Sequence, residues 1–230
     1  MQTKKHIVIL TGAGISAESG IKTFRDADGL WEGHDVQEVA TPEGWYKNSE
    51  LVLEFYNQRR KQLFEVLPNE AHLAITQLQE TFDVSVITQN VDDLHERAGN
   101  THVVHLHGEL RKVRSVSNEQ LIYDWDKDLV LGDTAEDGEQ LRPHIVWFGE
   151  AVPKLEEAAQ ITQTADILVI IGTSMQVYPA ANLIYEAPRG IPIYFIDPNP
   201  NISSNSFPNL HVYADKATVG MQMLLDKLNH

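Results

Sequence analysis

Residues 5–31 read KHIVILTGAGISAESGIKTFRDADGLW, and this stretch limits the possible fold more than any other part of the chain. Ile7, Val8, Ile9 and Leu10 form a continuous apolar run, which suits a strand buried on both faces of a parallel sheet. Thr11-Gly12-Ala13-Gly14 turns the chain, and Ile15 to Ser19 is expected to open a helix. Gly12, Gly14 and Ala17 fit the G-x-G-x-x-G/A pattern of a dinucleotide loop. On that reading Gly12 permits a tight turn, Gly14 lets a diphosphate approach the backbone, and Ala17 lets helix and strand pack closely. The helix N-terminus would offer amide donors and partial positive charge to the anion. A glycine-rich turn of this kind is also common as a turn alone. The acidic ribose reader usual ~20 residues on is missing. Asp26 and Asp28 lie in a polar segment with no strand before them. This is not an ordinary dehydrogenase loop.

The rest of the chain alternates strand-like and helix-like segments. Thr41-Pro42-Glu43 is a helix start, with a capping hydroxyl and proline at the first helical position. Leu51, Val52, Phe55, Phe64 and Leu67 recur at helical spacing and predict an amphipathic helix over 49–66. A further helix is expected over 71–80, with Leu73, Ile75 and Leu78 as its apolar residues. Strands are expected at 84–88, 103–106, 143–148, 167–171, 191–196 and 210–213, and helices at 154–164, 180–187 and 217–228. Residues 111–142 change character, rich in Asp, Glu, Ser and Gly, and read as a small inserted lobe built on a β-hairpin. The pattern predicts an α/β fold, a Rossmann-like doubly wound parallel sheet with that lobe inserted. The whole chain, 1–230, reads as a single catalytic domain whose lobe is formed by segments of about 32–70 and 111–142. Polar residues gather past four strand ends, at 11–16, 88–92, 172–174 and 197–199, where open α/β sheets bind ligands.

Composition narrows the function. A net charge of −15 repels nucleic acid and anionic membrane, so no nucleic-acid partner is expected. No apolar run reaches the ~18 residues of a membrane span, and no leader is recognised before the first strand, so a cytoplasmic protein is expected. There is no cysteine, which excludes disulfides and thiolate zinc ligation. His105 and His107 would share one face of a strand and His102 the other, but no HxxxH or HExxH pattern occurs. No metal site is expected.

Taken together, GAGISAESGIKTFR, TQNVDDLH, HLHGEL, VWFGE and GTSMQVYPA resemble, in this order, the sirtuin family of NAD-dependent protein deacylases. The resemblance spans nearly the whole chain. It implies NAD as cofactor and acylated lysine side chains of proteins as partners, meeting in a cleft between the large domain and the lobe. By resemblance Gly12, Ala13, Gly14, Ser16 and Ala17 form the diphosphate loop. Phe24, Arg25 and Trp31 belong to the loop covering the nicotinamide ribose. Gln89 and Asn90 contact ribose hydroxyls, and Asp92 binds the nicotinamide amide. Gly172, Thr173 and Ser174 contact phosphate and adenosine ribose, and Asp197, Asn199 and Ala217 frame the adenine side. Two departures are conservative: Val91 stands where the family usually has isoleucine, and Asp197 where it usually has asparagine. His107 would be the general base, with Asn90 placing ribose or water; an imidazole that titrates near neutrality can take a hydroxyl proton. The products would be nicotinamide, free lysine and 2′-O-acyl-ADP-ribose.

Tyr56 and Arg59, three apart on one helix face, resemble the Tyr-x-x-Arg pair of class III sirtuins, which binds the distal carboxylate of succinyl- or malonyl-lysine. Guanidinium and phenol donors suit that carboxylate. Acetyl-lysine stays as a secondary substrate. Val146, Phe148 and Gly149, within VWFGE, would flank the substrate backbone with the stretch after Ser174. Most sirtuins hold the lobe with four cysteines around zinc. This chain has none, and Val113, Leu121, Tyr123, Trp125 and Leu131 are expected to form an apolar cluster instead. Transfer of ADP-ribose to protein and non-catalytic sensing of NAD or ADP-ribose are the alternative functions.

Overall fold

The computed structural model describes residues 4–22, 30–31, 33–203 and 206–228. In chain order the elements begin with β1 (His6–Thr11), β2 (Leu30–Trp31), β3 (His34–Asp35), α1 (Val36–Val39), α2 (Pro42–Lys47), α3 (Ser49–Glu65) and α4 (Glu70–Leu78). Then come β4 (Asp83–Thr88), α5 (Leu94–Arg97), β5 (Val103–His105), β6 (Gly108–Ser115), β7 (Ile122–Asp124) and β8 (Leu141–Ile145). The chain closes with α6 (Leu155–Thr162), β9 (Ile167–Ile171), β10 (Ile193–Ile196), β11 (Leu210–Tyr213) and α7 (Ala217–Leu228).

Six strands form one parallel sheet in the order β11-β10-β9-β1-β4-β5. Numbered among themselves, these strands run 3-2-1-4-5-6 across the sheet, the doubly wound order. The apolar runs explain it. Ile7 and Ile9 pack with α4 and α7 on one face, while Val8 and Leu10 pack with α6 and residues 180–184 on the other. A strand buried on both faces cannot alternate polar with apolar, which is why β1 and β9 read as unbroken runs. The strand order reverses between the parallel neighbours β1 and β9, so a crevice opens past their C-terminal ends.

A second sheet, β7-β6-β8, is antiparallel, so the inserted region is three-stranded rather than a simple hairpin. Its apolar face shares one core with α3 and α2. Val113 is buried there, and Leu121, Tyr123 and Trp125 pack against it, but Leu131 is 48% exposed and Leu129 takes the central place. Two buried residues of α3 fasten the loop around Leu129. Asn57 Nδ2 donates to the Leu129 carbonyl at 2.9 Å, and Asn57 Oδ1 accepts from the Leu129 N–H at 2.9 Å. Arg60 Nε donates to the Leu110 carbonyl at 2.8 Å, and its Nη1 to Asn57 Oδ1 at 2.8 Å. Peptide groups inside an apolar core need such partners.

Several local expectations change. Residues 13–15 and 17–19 form short 3-10 turns rather than the start of an α-helix, so no macrodipole of a long helix is available at the glycine loop. Residues 180–186 also form a 3-10 helix. Phe64 and Leu67 lie exposed at the end of α3, and Leu73 is exposed on α4, where buried His72 takes a core position. No described helix is long and apolar enough to cross a membrane.

Candidate active site

One cavity of about 790 Å³ runs along the crevice and under the antiparallel sheet. Its wall gathers Gly12, Ala13, Gly14 and Ala17 from the loop after β1, and Gln89, Asn90 and Asp92 from the loop after β4. Gly172, Thr173 and Ser174 come from the loop after β9, Asp197 and Asn199 from that after β10, and Ala217 from the start of α7. His107, Tyr56, Arg59, Val146, Phe148 and Gly149 line it too. Phe24 and Arg25 lie outside the described residues, as does the side chain of Trp31; its backbone pairs in β2 with β3. Ser16 does not line the cavity.

The glycines work differently from the expected tight turn. Gly12 is extended, at φ −126°, so any residue could adopt its backbone. What forbids a side chain is proximity: a Cβ on Gly14 would lie 2.6 Å from the Gly172 Cα, and one on Gly12 would lie 2.8 Å from the Gly172 carbonyl oxygen. Gly172 itself is left-handed, at φ +62°, a conformation that favours glycine. The Gly14 N–H donates to the Gly172 carbonyl at 2.8 Å, locking the two loops together.

Ser16 is buried behind that loop. Its hydroxyl donates to Asp92 Oδ2 at 3.0 Å and accepts from Asn90 Nδ2 at 3.1 Å. Burial, the largest influence, raises the Asp92 pKa, while the Leu94 N–H and the Ser16 hydroxyl oppose it.

His107 Nδ1 lies 3.0 Å from the Gln89 carbonyl oxygen, which can only accept. Nδ1 therefore carries the proton and Nε2 keeps its lone pair. Burial lowers the pKa of His107 below its ordinary 6.5, partly opposed by that carbonyl, so the ring is neutral at pH 7. The arrangement is a strand-end imidazole poised to accept a proton at Nε2.

Elsewhere on the cavity wall, Tyr56 is fully buried and Arg59 is 6% exposed. Their positions follow from α3, whose residues 56 and 59 share a face while 57 and 60 turn toward the lobe. The Tyr56 hydroxyl accepts from Trp147 Nε1 at 3.1 Å. Burial pushes the phenol far above its ordinary value, so it stays protonated. Trp147 is set in turn by Glu150, whose Oε2 accepts the Trp147 N–H at 2.8 Å. Arg142 donates to both Glu150 oxygens, at 2.7 and 3.1 Å, and lies over the Trp147 ring. Sequence reasoning missed this support; the signal was Glu150 placed three residues after Trp147. It also missed the Asn57 and Arg60 contacts, because polar residues within a helix read as its solvent face.

A glycine-locked crevice at the reversal point of a 3-2-1-4-5-6 sheet is the architecture of dinucleotide-binding α/β proteins. Comparison with known proteins makes the class specific. The model of the Sir2 family matches residues 12–179. An NAD-dependent protein deacylase of Helicobacter pylori (strain ATCC 700392 / 26695) is 59% identical over 224 residues, spanning 97% of both chains. One of Bacteroides thetaiotaomicron is 53% identical over 226 residues, spanning 96% of both. Among solved structures, a Sir2 homolog–NAD complex superposes with a TM-score of 0.86 at 38% identity, covering 98% of this chain and 90% of that one. Sir2 bound to acetylated peptide gives a TM-score of 0.78 at 27% identity, covering 98% and 94%. The chain belongs to the Sir2 family.

Proposed function

We propose that this sirtuin, an NAD-dependent protein deacylase, removes succinyl and malonyl groups from lysine side chains of proteins and takes acetyl-lysine as a second substrate. The observation that carries the acyl choice is the placement of Tyr56 and Arg59. Both are buried in the wall of the same cavity that holds the glycine loops and His107. An acidic acyl group reaching that wall would meet a guanidinium and a protonated phenol, and charge-assisted bonds of this kind favour a carboxylate over a methyl group.

The residues fit NAD. At about 790 Å³ the cavity lies in the upper part of the range for small-molecule sites, roughly 300–1,000 Å³. Gly12, Ala13, Gly14 and Ala17 would hold the diphosphate, with Ser16 acting from behind. Gln89 and Asn90 would hold the ribose near His107, and Asp92 the carboxamide. Gly172, Thr173, Ser174, Asp197, Asn199 and Ala217 would hold the adenosine half. Bound NAD would supply an electrophilic ribose carbon, whose bond to nicotinamide breaks as the acyl oxygen attacks. His107 Nε2 would accept a proton from a ribose hydroxyl, and Gln89 would keep the ring in the tautomer that allows it. Val146, Phe148 and Gly149 would pair with an extended substrate, reading backbone more than side chains. With no cysteine available, we propose that the lobe folds without zinc and is held by the Asn57 and Arg60 contacts.

Nicotinamide release from NAD with succinyl-, malonyl- and acetyl-lysine peptides tests this reading. Release with all three, fastest with the acidic groups, is expected. No release with any would sink the deacylase reading, and a preference for acetyl would sink the acyl assignment.

A further inference from the structure

His105 and His107 stand two apart and make parallel contacts. His107 Nδ1 donates to the Gln89 carbonyl at 3.0 Å, and His105 Nδ1 lies 2.9 Å from the next carbonyl, that of Asn90. Their other nitrogens differ. The His107 ring lies on the cavity wall, whereas His105 Nε2 is 2.8 Å from Glu96 Oε1 on α5. A carbonyl and an ionised carboxylate both only accept, so this geometry suits a His105 that carries both ring protons. Its side chain is 7% exposed, with Glu96 at 42%.

This contact completes the fixing of Asn90. The Asn90 N–H donates to Thr88 Oγ1 at 3.0 Å, and its Nδ2 donates to Ser16 Oγ at 3.1 Å. Ser16 in turn donates to Asp92 Oδ2 at 3.0 Å. Both backbone groups and the side-chain amide of Asn90 are thus held by side chains from three separate segments.

We infer that His105 and Glu96 form a positioning ion pair, which fixes the Asn90 peptide and, through Ser16, the Asp92 carboxylate for the dinucleotide. The inference rests on the reading that Asn90 and Asp92 bind the ribose and nicotinamide of NAD. The charged and titratable groups around the pair are consistent with it. Burial disfavours the cation, and the neighbouring His95 is kept neutral, chiefly by its own burial. The Glu96 hydrogen bond and charge, with help from the Asn90 carbonyl and Glu109, outweigh burial and raise the His105 pKa. For Glu96, burial opposes ionisation, but His105 and Lys112 outweigh it and lower its pKa. Asp92 gains too, since the imidazolium favours its ionised form against burial.

The test compares His105→Leu and His105→Asn with the unaltered chain. An asparagine amide can take the place of Nδ1 toward the carbonyl but is too short to reach Glu96. Nicotinamide release is followed against NAD and against acetylated peptide. His105→Leu is expected to raise KM for NAD about tenfold while KM for peptide stays within about twofold, as misplaced binding groups would. His105→Asn is expected to recover only part of that loss, since it keeps a donor to the Asn90 carbonyl but loses the Glu96 anchor. An unchanged KM for NAD in His105→Leu, or full recovery in His105→Asn, overturns the inference. A second readout needs no turnover. In the resting unaltered protein at pH 7, nitrogen NMR should show both ring nitrogens of His105 protonated, and only one in Glu96→Gln. A neutral His105 in the unaltered protein overturns the inference, whereas absence of nicotinamide release speaks against the deacylase reading instead.

Discussion

At the scale of residues, the site separates similar side chains by their surroundings. His107 faces a carbonyl on one nitrogen and the cavity on the other, so burial lowers its pKa and leaves a neutral base. The acidic limb of kcat/KM is therefore expected below pH 6.5, and a limb above 6.5 in a pH–rate series would contradict the assignment. His107→Tyr should lower turnover about 10²–10⁴-fold, the usual worth of a general base. Arg59→Met removes a cation from the cavity wall where we propose the acyl group binds. Desuccinylation should fall roughly 10–100-fold, in line with loss of a charge-assisted pair, while deacetylation changes only a few-fold. Parallel assays with the two peptides would show it, and equal losses would refute the carboxylate role. The placement of these residues on the cavity wall was legible because short motifs gather them near strand ends and on one helix face. The support behind them was not: Ser16 was expected at the diphosphate, but its hydroxyl is committed to Asp92 and Asn90, a contact spanning many residues of sequence.

At the scale of elements, the long strands were the most legible parts. An unbroken apolar run such as Ile167 to Ile171 has one economical home, the centre of a parallel sheet. Short turns were not legible, because residues such as Ala17 and Ala180 suit 3-10 and α-helical turns alike. Nor was the choice of Leu129 over Leu131 in the lobe. Both are leucines in one loop, and the deciding factor is the Asn57 amide that grips the Leu129 peptide on both sides. Asn57→Ala would strand that N–H and C=O in an apolar core. A loss of about 1–3 kcal/mol in denaturant unfolding is expected. An unchanged midpoint would mean that the lobe does not depend on this contact.

At the scale of the whole molecule, several buried histidines make the fold acid-sensitive. Burial lowers the pKa of His72 and of His144 from 6.5 to about 4, and that of His95 well below its ordinary value. These rings are neutral in the folded chain but take up protons in the unfolded chain below about 6.5. Between those values the unfolded state binds more protons, so stability falls as pH drops from about 6.5 toward 4. Thermal melting across that window should show a declining midpoint, and a flat profile would contradict it. His105 has the opposite sign: its raised pKa contributes stability below 6.5 that is lost as pH rises through the folded value. Helix α3 carries Tyr56 and Arg59 on one face and Asn57 and Arg60 on the adjoining face. The proposed acyl pocket and the lobe would therefore share a single rod. Exchanging the pocket between relatives would succeed as a transplant of Tyr56 and Arg59 alone only where the recipient lobe already sits at the same height. Otherwise the whole helix and its Leu129 loop would have to move together as one heritable cassette.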